Sequence, residues 1–324
     1  MSGPINKEAL FNEVKGSLFE YLVALKLGQS AKIELDFIQN IDKNYLAVLG
    51  QQDRMIRQFY PEMLSFLHQT SLQCHQHIIE KYGTDWVSIK LLGKLTNSQL
   101  QDDFKETDLL LTKVTGEQLF LSLKLNKKSS FVNTKSAGVR SFLTHYFPHL
   151  PNSQQREFSE VIDLEFRAMS DQLHRLHDLE YVGNFNQWVN SGLSELPGDL
   201  AEVDRSVLKK YYAKIALKLH EILGGALADN KEGFVKNLYP LMGFSDARII
   251  QVICFHDFKA GGKSAVEIHD FNDVLSQDVV IREFKETASV EVESRDWVLQ
   301  IRIKPMNKFT TTAMKVNCAV KFKN

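Results

Sequence analysis

Asp108 and Lys124 are the two residues of this chain best placed to do chemistry together. From Leu119 to Asn126, Leu119, Leu121, Leu123 and Leu125 alternate with Phe120, Ser122, Lys124 and Asn126. That period of two is the pattern of a pleated strand. One face is all leucine and belongs in a core. The other carries a serine, a lysine and an asparagine in a row. The preceding stretch TDLLLTKV (107–114) reads as a partner strand, turning at Thr115-Gly116-Glu117 into a hairpin. Antiparallel return then brings Asp108 alongside Lys124. A carboxylate and an ammonium backed by leucines must pair or serve a site, because charges buried without partners are strongly unfavourable.

The elements that would position this pair can be read from the spacing of apolar residues. Phe11, Val14, Leu18, Leu22 and Leu25 recur at helical spacing within residues 7–28, and Gly28 is a natural stop. Residues 50–82 read as further helix broken near Pro61, and DWVSIKLLG (85–93) as a strand. TKSAGVRSFLTHYF (134–147) reads as a helix ending before Pro148. Residues 150–245 look mainly helical, the clearest helix being DRSVLKKYYAKIALKLHEILGGAL, ending at Gly224-Gly225. ARIIQVICFHDF (247–258) is a buried strand, and SVEVESRDWVLQIRIKP and TAMKVNCAVKFK are strands of a C-terminal sheet. No internal repeat and no low-complexity segment interrupts the chain.

The 324 residues are enough for one large domain or two moderate ones. A content of 44% hydrophobic and 24% charged residues is that of a soluble globular protein. No apolar run approaches a membrane span, and the N-terminus lacks the pattern of a secretory signal. Cys74, Cys254 and Cys318 lie far apart and form no CxxC pair, which argues against a disulfide framework or a thiolate zinc site. A cytoplasmic location is the expectation. The net charge is −1, but the bases are unevenly distributed. No acid occurs from Gln118 to Arg156, which holds Lys124, Lys127, Lys128, Lys135, Arg140 and Arg156. None occurs from Trp297 onward, which holds Arg302, Lys304, Lys308, Lys315, Lys321 and Lys323. Two acid-free basic segments in a neutral chain suggest surfaces for a polyanion. The alternatives are solvated strand faces, or an edge sheet guarded by lysines.

The order of helix, strand, hairpin and helix, with Asp108 opening the hairpin and Ser122-Leu123-Lys124 on its second strand, resembles the PD-(D/E)xK nuclease superfamily of restriction endonucleases. Residues 7–147 and a strand near 247–258 carry the resemblance. It implies an α/β fold: a restriction-endonuclease-like core, a mixed sheet flanked by helices, over 1–149 and completed near 247–258. A helical insertion (150–246) and a C-terminal β-rich basic region (259–324) would follow. It further implies a Mg²⁺-dependent endonuclease acting on double-stranded DNA, with the homodimer common among restriction-type members. Asp108 and Glu20, from GSLFEYLVALKL, would ligate the metal, with the Leu123 carbonyl as a further ligand. Lys124 would orient the attacking water. Glu20 lies off the Phe11/Leu18/Leu22 stripe, but Gly16, Val23, Ala24 and Leu27 on its own side suggest that this side is packed too.

Two departures stand out. Thr107 replaces the proline common before the aspartate, and Ser122 stands where an acid is expected. Some restriction-type nucleases carry a similar Ser-x-Lys-x-Asn strand followed by basic and serine residues, as SLKLNKKSS does here. Serine is a weaker metal ligand than a carboxylate, so the site would lean on Glu20 or bind metal poorly. Ser122 and Asn126 could hold a metal-bound water or the phosphate. Lys127, Lys128, Ser129 and Ser130 would touch the nucleic-acid backbone, together with Lys135, Arg140, Lys304, Lys308 and Lys315. The rival readings are another nuclease of this fold, for repair, mobile elements or phage defence, and a catalytically inactive nucleic-acid-binding protein, which Ser122 permits. An interaction protein with no nucleic-acid role is the bland third. Weaker motifs point elsewhere: His174 and His177 stand three apart on a helix and could share a metal, although a solvated face is the simpler reading. KAGGKS (259–264) lacks the GxxxxGK spacing of a phosphate loop.

Overall fold

The computed structural model describes residues 7–92, 106–127, 130–256, 265–276, 278–305 and 309–323. It is a mixed α/β protein whose contacts divide into two compact units. The first comprises residues 1–132 and 244–273, the second 133–243 and 274–324. The helices after residue 150 and the C-terminal strands fall in one unit.

Four helices open the first unit: α1 (Lys7–Ser30), α2 (Glu34–Gln39), α3 (Lys43–Phe59) and α4 (Pro61–Tyr82). Pro61 separates α3 from α4 because its ring is tolerated in a first turn and not in a helix interior. Strands β1 (Trp86–Leu91), β2 (Leu109–Lys113) and β3 (Gln118–Lys127) form an antiparallel meander. The β2–β3 turn closes through the Gly116 amide on the Lys113 carbonyl at 2.9 Å, with Gly116 at φ +86°, a region glycine enters without strain. Strand β5 (Ile249–His256) runs parallel to β3, and β6 (Ala265–His269) pairs with β5, giving the order β1-β2-β3-β5-β6.

The leucine face of β3 is in the core, as its alternation predicts. Leu119, Leu121 and Leu123 pack with Leu109, Leu111, Val252 and Cys254 against Leu18, Phe19, Leu22, Val23 and Leu27 of α1 and Leu67, Cys74 and Ile78 of α4. Val23, Ala24 and Leu27 are fully buried, so the side of α1 that carries Glu20 is packed as well. The opposite sheet face holds a smaller cluster of Leu92, Leu110 and Phe120.

In the second unit, residues 134–147 depart from the expected single helix. Val132–Gly138 is strand β4, followed by the short helix α5 (Phe142–Tyr146). The polar run Thr134-Lys135-Ser136 has no apolar helical stripe to bury. It gains a strand's partners instead, with the Thr134 hydroxyl donating to the Cys318 carbonyl at 3.2 Å and the Leu241 carbonyl at 2.5 Å. The helix that the resemblance implies directly after the third strand is therefore absent from that place. Helices α6 (Asn152–Leu176), α7 (Asn186–Asn190), α8 (Glu202–Asp229) and α9 (Lys231–Leu238) follow, and α6 packs along α8. Helix α8 continues through Gly224-Gly225, because Leu219, Ile222, Leu223 and Ala226 keep its buried face continuous. Strands β7 (Val280–Ile281), β8 (Ser289–Glu293), β9 (Trp297–Lys304) and β10 (Lys315–Phe322) join β4 in the order β4-β10-β9-β8-β7. Their inner face buries Trp297, Leu299, Ile301, Ile303, Val316, Cys318, Val320, Val290 and Val292.

Candidate active site at the open end of strand β3

Strand β3 is longer than its neighbour. Strand β2 pairs with residues 118–121 only, whereas β5 pairs with residues 120–127. Beyond Leu121 one edge of β3 has lost its partner, and Asp108 fills the gap. Its backbone N–H donates to the Leu121 carbonyl at 2.8 Å. Its side-chain Oδ2 accepts the Leu123 N–H at 2.6 Å, taking the place of the carbonyl that β2 no longer supplies. A residue's N–H and C=O project to the same strand edge, so the Leu123 carbonyl faces this gap too.

Two further groups meet the same carboxylate oxygen. The Ser122 hydroxyl donates to Asp108 Oδ2 at 3.4 Å, and Lys124 Nζ lies 3.6 Å from it. The Asp108 and Lys124 side chains are only 19% and 26% exposed, so their charges meet in a partly desolvated recess where attraction is stronger than in water. Ser122 is buried. All of these contacts fall on Oδ2, leaving Oδ1 without a hydrogen-bond donor among the described residues.

Glu20 is half-buried on α1. Its charge and that of Asp108 both act on Tyr45, a buried α3 residue that sequence reasoning had not singled out. Burial, then the Glu20 charge, then the Asp108 charge raise the Tyr45 phenol well above its ordinary pKa. Gln251 was also missed. It is fully buried on β5, in register with Ser122, and is the lone polar residue within IIQVIC. That isolation was the available signal; Tyr45 gave none.

The remaining expected contacts are dispersed. The Asn126 amide donates to the Ser130 carbonyl at 3.2 Å and Ser130 Oγ at 3.0 Å, so it braces the chain leaving β3. Lys127 ends β3, and its side chain lies outside the described residues, as do Lys128, Ser129, Lys308 and the KAGGKS segment. Lys135, Arg140, Lys304 and Lys315 belong to the second unit. Arg140 is ion-paired with Asp163. The acid-free C-terminal segment meets its acids through space: Lys323 Nζ pairs with Glu293 of β8 at 2.5 Å. His174 and His177 do not converge. His174 is buried with Nδ1 on the Ser170 carbonyl at 2.8 Å, whereas His177 faces Asp204 at 2.8 Å. Among the described residues no group of three or more His, Cys, Asp or Glu side chains is arranged to hold a metal ion. Nor is any described helix long and apolar enough to cross a membrane.

Fold and site together define a mixed α/β protein with a paired aspartate and lysine at the open end of a central strand. No family model, curated protein or solved structure matches the chain.

Proposed function

We propose that this chain is a Mg²⁺-dependent endonuclease of restriction type, with a restriction-endonuclease-like core, hydrolysing phosphodiester bonds in duplex DNA. One observation carries the reading. The Asp108 carboxylate, Ser122 hydroxyl, Leu123 backbone and Lys124 ammonium gather where β3 outruns β2. The meander β1-β2-β3, with β5 parallel to β3 and α1 on its leucine face, supports the same core.

The donor set suits a hard cation. Mg²⁺ is commonly held by one or two carboxylates with waters completing its shell. Asp108 through Oδ1, Glu20 and the Leu123 carbonyl would hold it. When bound, the ion would polarise the scissile phosphate and make a bound water more acidic. Lys124 would orient the attacking water and stabilise charge developing on the phosphate oxygens. The bond from Ser122 would hold the Asp108 carboxylate in place without adding charge. Ser122 also favours a second reading, a nucleic-acid-binding protein of this fold that does not cut.

The test is plasmid cleavage in Mg²⁺ or Mn²⁺, with an EDTA control, by wild type, Asp108→Asn and Lys124→Met. Discrete bands are expected from wild type, and rates lower by about 10²–10³-fold from each variant. Random nicking would move the reading to a repair, mobile-element or phage-defence nuclease. Absence of cutting on duplex, single strands and RNA, with binding retained, would leave the inactive binding protein.

A further inference from the structure

Strands β9 and β10 carry Arg302, Lys304, Lys315 and Lys321, and the order β4-β10-β9-β8-β7 places both strands inside their sheet. Lysines there protect no edge, so the edge-guarding explanation of this basic segment does not apply. The antiparallel register sets Lys304 directly opposite Lys315. Two ammonium groups facing one another across a strand pair destabilise a sheet unless something anionic lies between or above them.

The next row repeats the theme. Arg302 is flanked by Ser289 of β8 on one side and Asn317 of β10 on the other. Asn317 Oδ1 accepts a hydrogen bond from the Ser136 hydroxyl of β4 at 2.9 Å, which occupies its acceptor and leaves its N–H₂ donors. Among the described residues, Arg302, Lys304 and Lys315 form no ion pair, although the same sheet pairs Arg282 with Glu291 and Glu293, and Lys323 with Glu293. Four strands therefore contribute to an outward face that offers hydrogen-bond donors and positive charge and no carboxylate in these two rows. Arg302 and Lys304 are exposed, and Lys315 and Asn317 half-exposed.

We propose that this face of β8, β9, β10 and β4 is a second nucleic-acid contact, gripping the phosphodiester backbone through Arg302, Lys304 and Lys315 with Asn317 as a neutral donor. The inference rests on the nucleic-acid reading of the protein and adds a surface that the Asp108–Lys124 recess does not include. Guanidinium and ammonium groups whose own two rows hold no acid suit a run of phosphates, with Glu283, Glu286 and Glu291 bordering the face on the Arg302 side, and such contacts position a duplex without reading its sequence.

The test measures binding of the full chain to a short fluorescein-labelled duplex by anisotropy, in EDTA and over a range of KCl concentrations. The face variant is Arg302→Gln/Lys304→Gln/Lys315→Gln. A charge-matched control is Lys214→Gln/Lys218→Gln/Lys236→Gln, whose lysines each pair with a carboxylate. Each phosphate contact contributes about 0.9 to the slope of log affinity against log salt, so the face variant is expected to lose about 2 to 3 from that slope. Its affinity should fall by roughly tenfold or more at moderate salt, with the control near wild type. Its melting temperature should hold or rise, since a like-charge pair is removed. An unchanged slope, an equal loss in the control, or displacement of the duplex by polyglutamate as effectively as by unlabelled duplex would overturn the inference. Plasmid cleavage keeps the two proposals apart. A face variant that binds and cuts like wild type sinks this inference alone, whereas a wild type that binds with the stated slope and never cuts sinks the nuclease reading alone.

Discussion

Replacing Ser122 by aspartate tests whether the recess beside Asp108 is a cation site. Ser122 is buried, and its hydroxyl lies 3.4 Å from Asp108 Oδ2. An aspartate there places a second carboxylate about 4 Å from the first. At an effective dielectric constant near 20 such a pair repels by about 4 kcal/mol. Lys124, 3.6 Å from Asp108, offsets part of this. The net loss in EDTA should be about 2–3 kcal/mol, a fall of roughly 5–10 °C in the melting temperature of a unit of this size. A cation between the carboxylates offsets this loss. At a hundredfold excess over its Kd, Mg²⁺ would return about 2.7 kcal/mol. Differential scanning fluorimetry of wild type and Ser122→Asp, with EDTA and with Mg²⁺, reads both effects. The result that refutes the reasoning is a variant destabilised equally under both conditions, because a recess that Mg²⁺ cannot relieve is no cation site.

Two further predictions concern the stability of each unit by itself. Leu121→Ala removes a fully buried side chain from the leucine face of β3, and should lower unfolding free energy by about 2–5 kcal/mol in urea titrations. Glu293→Gln addresses pH. Hydrogen bonds from Arg282, then Lys323, hold the Glu293 carboxyl down at about 2. A depressed carboxyl stabilises the fold above its unfolded pKa, about 4.3, and that stabilisation is lost as pH falls through the folded value. Wild type should therefore lose stability between about pH 4.5 and 2 in a step that the variant lacks, and at neutral pH the variant should be weaker by about 1 kcal/mol, given partial exposure. Superimposable pH curves in thermal melts would contradict this.

The hairpin and its charged pair were legible because everything that defines them is local. The alternation of leucines, the glycine in the turn and the offset between Asp108 and Lys124 fix strand, register and proximity within one short stretch. Helix α1, the break at Pro61 and the apolar strand β5 were legible for the same reason. Residues 134–138 were not. Their conformation follows from a partner, Cys318, nearly two hundred residues away, and nothing local marks the pairing.

The sequence by itself determined which residues alternate, which are charged and where the chain must turn, because these depend on neighbours within a few positions. The tertiary structure alone decided what lies across from them. It placed Tyr45 where the charges of both Glu20 and Asp108 act on it, and paired Lys323 from an acid-free segment with Glu293 of another strand. It set β9 and β10 inside their sheet, and joined the helices after residue 150 to the C-terminal strands in one unit. The physical reason is common to all four. Electrostatic and packing energies fall off with distance in space, and a one-dimensional pattern records distance only along the chain.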